Sequence, residues 1–206
     1  MKKRFFLTLT VLIACFALTG CNYNTLTVKQ QDVRKKWSDV ENEFQRRADL
    51  IPNLFEAAKA AGIQEQEVFG QIAEARSRLL DAKNAAPEGD AGDKSPEQKQ
   101  AIIDANNSFG GTIGRLLSIV ENYPDLKSTE SFKMFQVSLE GTENRIAVAR
   151  GDYNKSVQDY NTTRNQFPAV IFASLYGFKE EPYFKAEERA KQAPKIDAND
   201  MRKDKK

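Results

Sequence analysis

Residues 123–168 read YPDLKSTESFKMFQVSLEGTENRIAVARGDYNKSVQDYNTTRNQFP, and their periodicity decides the fold. Phe132, Leu139, Ile146, Tyr153 and Tyr160 recur every seven residues, and Phe135, Thr142, Ala149 and Ser156 fill the alternate positions of the 3–4 spacing. Residues three and four apart are neighbours on a helix, so these two rows form one seam along one face. One row is bulky and the other small, which lets a neighbouring helix pack close. The spacing predicts an unbroken helix over about Ser128 to Asn165, the central strut of a bundle.

Beyond the strut, Phe167 to Phe178 carries no charge. Pro168 can open a short helix there and Gly177 can close it. This apolar piece is long enough to touch a membrane but far too short to span one; the other reading is an end cap folded over the bundle, with Tyr183 and Phe184 docking nearby. From about Ala186 the chain is charged and lacks aromatic residues, the composition of a disordered tail over 185–206.

Before the strut, Ser95-Pro96-Glu97-Gln98 combines a capping serine, a proline at the first helical position and a capping-box glutamine. The helix it starts has Ile102, Phe109, Ile113, Leu116 and Val120 as its stripe and ends near Tyr123-Pro124. Gly110, Gly111 and Gly114 lie inside it, each costing up to about 1 kcal/mol relative to alanine, and they predict a partner backbone close by. Residues 85–94 hold Pro87, Gly89 and Gly92 and no large apolar side chain, which predicts a flexible loop. A helix from about Gln64 to Asn84 precedes it, with Val68, Ile72, Ala75 and Leu79 on one face.

Trp37, Phe44, Ile51 and Ala58 recur every seven residues, with Val40, Arg47 and Leu54 as the companion row. The phase passes straight through Pro52. Two independent helices would not stay in register, so the spacing predicts one helix from about Thr25 to Ala61, kinked where Pro52 cannot donate to the carbonyl of Ala48. Gly62 follows as its C′ residue. No stretch alternates at period two, and the fold class is all-α: an antiparallel up-and-down bundle of about four long helices, spanning residues 25–184, with a short C-terminal capping helix.

The N-terminus is an address. Lys2-Lys3-Arg4 precedes the apolar run Phe5 to Ala17 and then Leu18-Thr19-Gly20-Cys21, the layout of a secretory signal peptide over residues 1–20. Its end resembles a bacterial lipobox, which implies cleavage before Cys21 and lipid on that cysteine. Residues 21–24 then form a lipidated anchor and short linker. An uncleaved anchor helix is the other reading. Several acyl chains hold a protein stably on a membrane, and the positive start keeps that end cytoplasmic, so the body is exported. In a Gram-negative cell, Asn22 in place of an aspartate directs such a lipoprotein to the periplasmic face of the outer membrane.

Composition supports this and excludes much else. The 206 residues are 40% hydrophobic and 29% charged, with no histidine, two cysteines and a net charge of +2. Removing the three cations of residues 1–20 leaves −1, so no affinity for nucleic acid is expected. With Cys15 in the signal and Cys21 lipidated, the mature chain has no disulfide to rely on.

Several strings match a known pattern: Arg46-Arg47-Ala48-Asp49-Leu50-Ile51-Pro52-Asn53-Leu54, Glu121-Asn122-Tyr123-Pro124-Asp125-Leu126 and Glu140-Gly141-Thr142-Glu143-Asn144-Arg145-Ile146-Ala147-Val148-Ala149-Arg150. Asp152-Tyr153-Asn154, Tyr160-Asn161, Phe167-Pro168, Gly177-Phe178 and Tyr183-Phe184 follow in order. The chain closely resembles the LemA family of bacterial envelope proteins over about Tyr23 to Phe184. The resemblance implies an antiparallel helical bundle with an N-terminal membrane anchor and no established catalytic activity. Many relatives carry a plain anchor helix where this chain has a lipobox, and a histidine where it has Ala48.

No motif for chemistry stands out. A di-iron bundle needs Glu-x-x-His on two helices, and neither a P-loop nor a nucleophile elbow is present. Catalytic residues, metal ligands and cofactors are all expected to be none. Glu140 and Glu143 are the carboxylate pair that acid–base work would use, though such pairs are more often a solvated helix face. Arg47 sits on an apolar row, where it either snorkels to solvent or pairs inside, with Glu143 as partner. The expected function is a membrane-anchored, non-catalytic interaction or scaffold module of the envelope. A carboxylate-only envelope hydrolase and a self-assembling structural lipoprotein are the alternatives. The partner is an unidentified envelope protein or a second copy, docking on one end formed by Tyr123 with Phe172, Tyr176, Phe178, Tyr183 and Phe184. The same aromatics could instead only seal the core.

Overall fold

Among the described residues, seven helices follow one another: α1 Lys2–Asp49, α2 Ile51–Ala60, α3 Gln66–Asn84, α4 Pro96–Val120, α5 Pro124–Ser128, α6 Glu130–Asn165 and α7 Ala169–Tyr176. The structure is a computed structural model that describes residues 2–60, 66–85 and 94–185, with the backbone alone for residues 2–22 and Val68. No strand occurs among the described residues. Gly62, residues 86–93 of the polar loop and the tail from residue 186 lie outside them.

The long helices alternate in direction, and side-chain pairing shows it. Lys29 pairs with Asp159, Lys36 with Asp152 at 3.3 Å and Glu43 with Arg145 at 3.0 Å. Numbers rise by seven along α1 as they fall by seven along α6, so the two run antiparallel with one charge pair per heptad. Lys83 Nζ donates to Gln45 Oε1 at 2.7 Å, and Phe55 meets Phe69 edge-on at 5.2 Å between ring centroids, so α3 runs against α1 and α2. Lys99 lies over the Trp37 ring and Arg47 reaches Asn106, so α4 runs parallel to α1. The bundle is all-α and antiparallel.

Each seam faces inward. Phe132, Leu139, Ile146, Tyr153 and Tyr160 are buried on α6, with Phe135, Thr142 and Ser156 beside them. Trp37, Phe44, Ile51 and Ala58 are buried across the kink, as are Val40, Arg47 and Leu54. The kink falls at Leu50, a single turn residue between α1 and α2. Pro52 leaves the Ala48 carbonyl without its usual donor, and Arg76 Nε takes it at 3.0 Å.

Ser95 and Gln98 form the full capping box of α4. Gly177, at φ 74° in the left-handed region, ends α7. The start of the strut differs from the sequence reading. Thr129, extended at φ −67° and ψ 142°, caps α6 by accepting from Phe132 N, and a separate short α5 precedes it. α1 passes without a break through residues 21–24. Among the described residues no helix is long and apolar enough to cross a membrane.

Candidate functional site

Two polar clusters and one apolar end stand out from the packed seams. The first cluster joins α1, α4 and α6 around Arg47. Its side chain is 8% exposed, and Nη2 lies 2.7 Å from Glu143 Oε1, whose side chain is 42% exposed. Nη1 donates to Asn106 Oδ1 at 3.3 Å, and the guanidinium lies 5.8 Å from the Phe109 ring centroid. Arg47 is therefore interior, and its carboxylate partner stands at the edge. A charge-assisted bond at this distance fixes the register of α1 against α6.

The glycines of α4 belong to this cluster, but not by admitting a backbone. A Cβ at Gly110 would meet Arg47 Nη2 at 2.7 Å, so Gly110 makes room for the guanidinium. At Gly111 and Gly114 a Cβ would meet nothing within 4 Å. The expected close partner backbone is absent there. Instead these glycines line an open groove of about 730 Å³ with Arg115 and Arg150. Glu143 is engaged by Arg47 and Glu140 is exposed. The arrangement positions charge beside the groove. Among the described residues no three His, Cys, Asp or Glu side chains are grouped to hold a metal.

The second cluster is an extended strap, residues 178–184, laid back along α6. Arg164 Nε donates to the Phe178 carbonyl, Tyr160 Oη to the Lys179 carbonyl and Asn161 Nδ2 to the Glu181 carbonyl, all at 2.8–2.9 Å. Asn161 Oδ1 accepts from Glu181 N, and Asn154 makes the same two-way clamp on Phe184. The strap thereby finds side-chain partners for backbone groups that no sheet provides. Its Glu181 side chain turns inward to Lys99 Nζ at 2.8 Å, with both groups buried, so the strap also ties α4 to α6. A further buried pair joins Lys94 to Glu41 at 3.0 Å. Burial pushes the Tyr153 phenol well up and the Tyr160 phenol up to about 12, and the Glu181 carboxylate adds to both.

Lys99 and Glu181 escaped the sequence reading. Lys99 and Asn106 precede Ile113 and Val120 at intervals of seven, so a polar residue on an apolar row was the available signal. Glu181 offered none, because the strap has no period.

The aromatics expected to form one docking end are divided between two. Tyr123, half-buried, lies before α6 beside Leu54, Phe69 and Leu126. Phe172, Tyr176, Phe178, Tyr183 and Phe184 all follow α6, whose 36 residues span about 54 Å. The intervening helix corrects that expectation. Phe178 and Phe184 are buried, and Phe184 packs on Trp37, Phe44 and Tyr153. They seal the core. Phe172 is half-buried, while Tyr176 and Tyr183 are exposed. Tyr23 on α1 contacts Tyr176 and Phe178, with centroids 5.1 and 5.7 Å apart. Cys21 lies two residues earlier in the same helix.

The LemA family model matches residues 36–197, most of the bundle and all of both polar clusters. The chain belongs to the LemA family. Among its LemA relatives are the magnetosome proteins MamQ 1 and MamQ 2 of Paramagnetospirillum magneticum. Each is 30% identical over 184 residues, covering 84% of this chain and 68% of theirs. The magnetosome protein MamQ of Magnetospirillum gryphiswaldense is 29% identical over 185 residues, with the same coverage.

Proposed function

We propose that this LemA protein is a non-catalytic lipoprotein of the bacterial cell envelope, a rigid bundle that holds an interaction surface on a membrane. The observation that carries the reading is the N-terminal layout. Lys2-Lys3-Arg4, the apolar run to Ala17 and Leu18-Thr19-Gly20-Cys21 form the first part of α1. Lipid on Cys21 attaches the bundle by its first helix, with the body outside the cytoplasm and, in a Gram-negative cell, on the outer membrane.

The treatment of charge supports a scaffold over an enzyme. Lys99 is matched to Glu181 and Lys94 to Glu41 as buried pairs, where an acid–base site turns its perturbed groups towards a substrate cavity. Membership of the LemA family agrees, and the names of the MamQ relatives place those proteins in the magnetosome without stating a reaction.

Fatty-acid labelling of cells making wild type or Cys21→Ser tests the anchor. Label and membrane sedimentation are expected for wild type and lost in Cys21→Ser. Equal label in both refutes the reading.

A further inference from the structure

The end of the bundle nearest Cys21 carries an apolar surface that the fold does not use. Phe167 is 81% exposed, Leu175 72% and Ile171 56%, and Val170 and Tyr176 are exposed beside them. Val170, Ile171 and Leu175 share the outer face of α7, because positions one and four or five apart lie on one side of a helix. Ala169 and Ala173 face inward and are buried. The helix therefore packs by its two alanines with Phe172 half-buried, and turns Val170, Ile171, Leu175 and Tyr176 outward, unlike an ordinary surface helix. No charge occurs from Asn165 to Phe178, while Arg164 and Lys179 flank the stretch.

Where this surface sits decides what covers it. Tyr23 packs its ring on Tyr176 at 5.1 Å, so α7 lies against the first turns of α1 that follow Cys21. Two residues of helix rise are about 3 Å. On the anchoring reading above, lipid attached at Cys21 enters the bilayer within about 3 Å, along α1, of the ring that contacts α7.

We propose that α7 is an interfacial helix that lays Phe167, Ile171 and Leu175 into the headgroup–acyl boundary of the membrane that holds the lipid anchor. The inference rests on the anchoring reading above and adds an orientation to it. Eight residues give a helix about 12 Å long, enough for shallow burial in the boundary and too short for a span. Arg164 is held by the Phe178 carbonyl and Asn165, and Lys179 lies 3.9 Å from Glu97, so the apolar face rather than charge carries the contact. With Cys21 and α7 both engaged, the bundle has two points of contact, and its far end, with α2 and α5, is held away from the membrane.

The test uses the full mature lipoprotein. Cys15 is removed with the signal and Cys21 carries lipid, so Ile171→Cys or Lys133→Cys supplies the one free thiol. Each variant is labelled with an environment-sensitive nitrobenzoxadiazole dye and reconstituted into phosphatidylcholine–phosphatidylglycerol vesicles. The expected result is co-flotation of both, with a blue shift and quenching by shallow spin-labelled lipid at position 171 and water-like emission at position 133. Co-flotation with water-like emission at both positions overturns the α7 proposal and leaves the anchor standing. Failure to float overturns the anchor and the proposal together. A shift at position 171 that fades as lipid is added at constant protein means a second copy covers α7, which also overturns the proposal.

Discussion

Arg76 on α3 donates from Nε to the carbonyl oxygen of Ala48 on α1 across 3.0 Å. The acceptor exists because Pro52, four residues on, has no N–H to give. The kink and the attachment of α3 thus share one cause, since a carbonyl released by the proline becomes a docking point for the next helix. Asp49 Oδ1, 3.9 Å from Arg76 Nη2, adds a weak charge to the same contact. Arg76→Met is expected to cost about 1–2 kcal/mol in urea unfolding. In a Pro52→Ala background, where the backbone can satisfy Ala48, the loss should shrink, and a double-mutant cycle reads the coupling. Additive costs would mean that the bond contributes nothing through Ala48.

The glycines of α4 should respond in opposite directions. Gly110→Ala drives a methyl group into Arg47, so it displaces the guanidinium from Glu143 and should destabilise by about 1–3 kcal/mol. Gly111→Ala and Gly114→Ala meet open space and should stabilise by up to about 1 kcal/mol each. Thermal unfolding of the three variants checks this, and a loss at all three would contradict the open groove.

Lys99 and Glu181 stand or fall together. Lys99→Met leaves the Glu181 carboxylate buried without its cation and should cost about 3–5 kcal/mol. Adding Glu181→Met should recover much of that loss, because two apolar side chains replace an ion pair. Failure of the second change to recover any stability in urea unfolding would remove the pair from the account.

The fold was largely legible because its seams are strict heptads on long helices. The phase from Trp37 to Ala58 held across Pro52 for the reason the sequence offered, since both sides bury the same face against α6. The charge ladder was also present, with Lys29, Lys36 and Glu43 complementing Asp159, Asp152 and Arg145 at matching intervals. Periodicity says nothing of a segment that lacks it. The strap from Phe178 to Phe184 is extended and owes its place to side chains of α6, so Glu181 could not be assigned an inside. Tyr123 was misplaced for a related reason: chemical likeness to the later aromatics carries no distance, and α6 lies between them.

Alkaline pH should loosen the strap. Burial, then the Glu181 carboxylate, raises the Tyr160 phenol from its ordinary 10.0 to about 12, and Tyr153 is raised further by the same causes. Between about pH 10 and 12 the folded chain keeps protons that the unfolded chain releases, so stability is full below pH 10 and falls as pH rises. The phenol of Tyr160 also donates to Lys179 while protonated. Urea unfolding across this range should show the fall, with a shallower slope in Tyr160→Phe. An unchanged slope in that variant would mean Tyr160 titrates normally.

The intact mass of the protein extracted from cell membranes tests the central claim most directly. The expected mass is that of residues 21–206 plus a diacylglyceryl group on Cys21, with a further acyl chain where the amino group is modified. A chain that begins at Met1 and carries no added lipid would contradict the account.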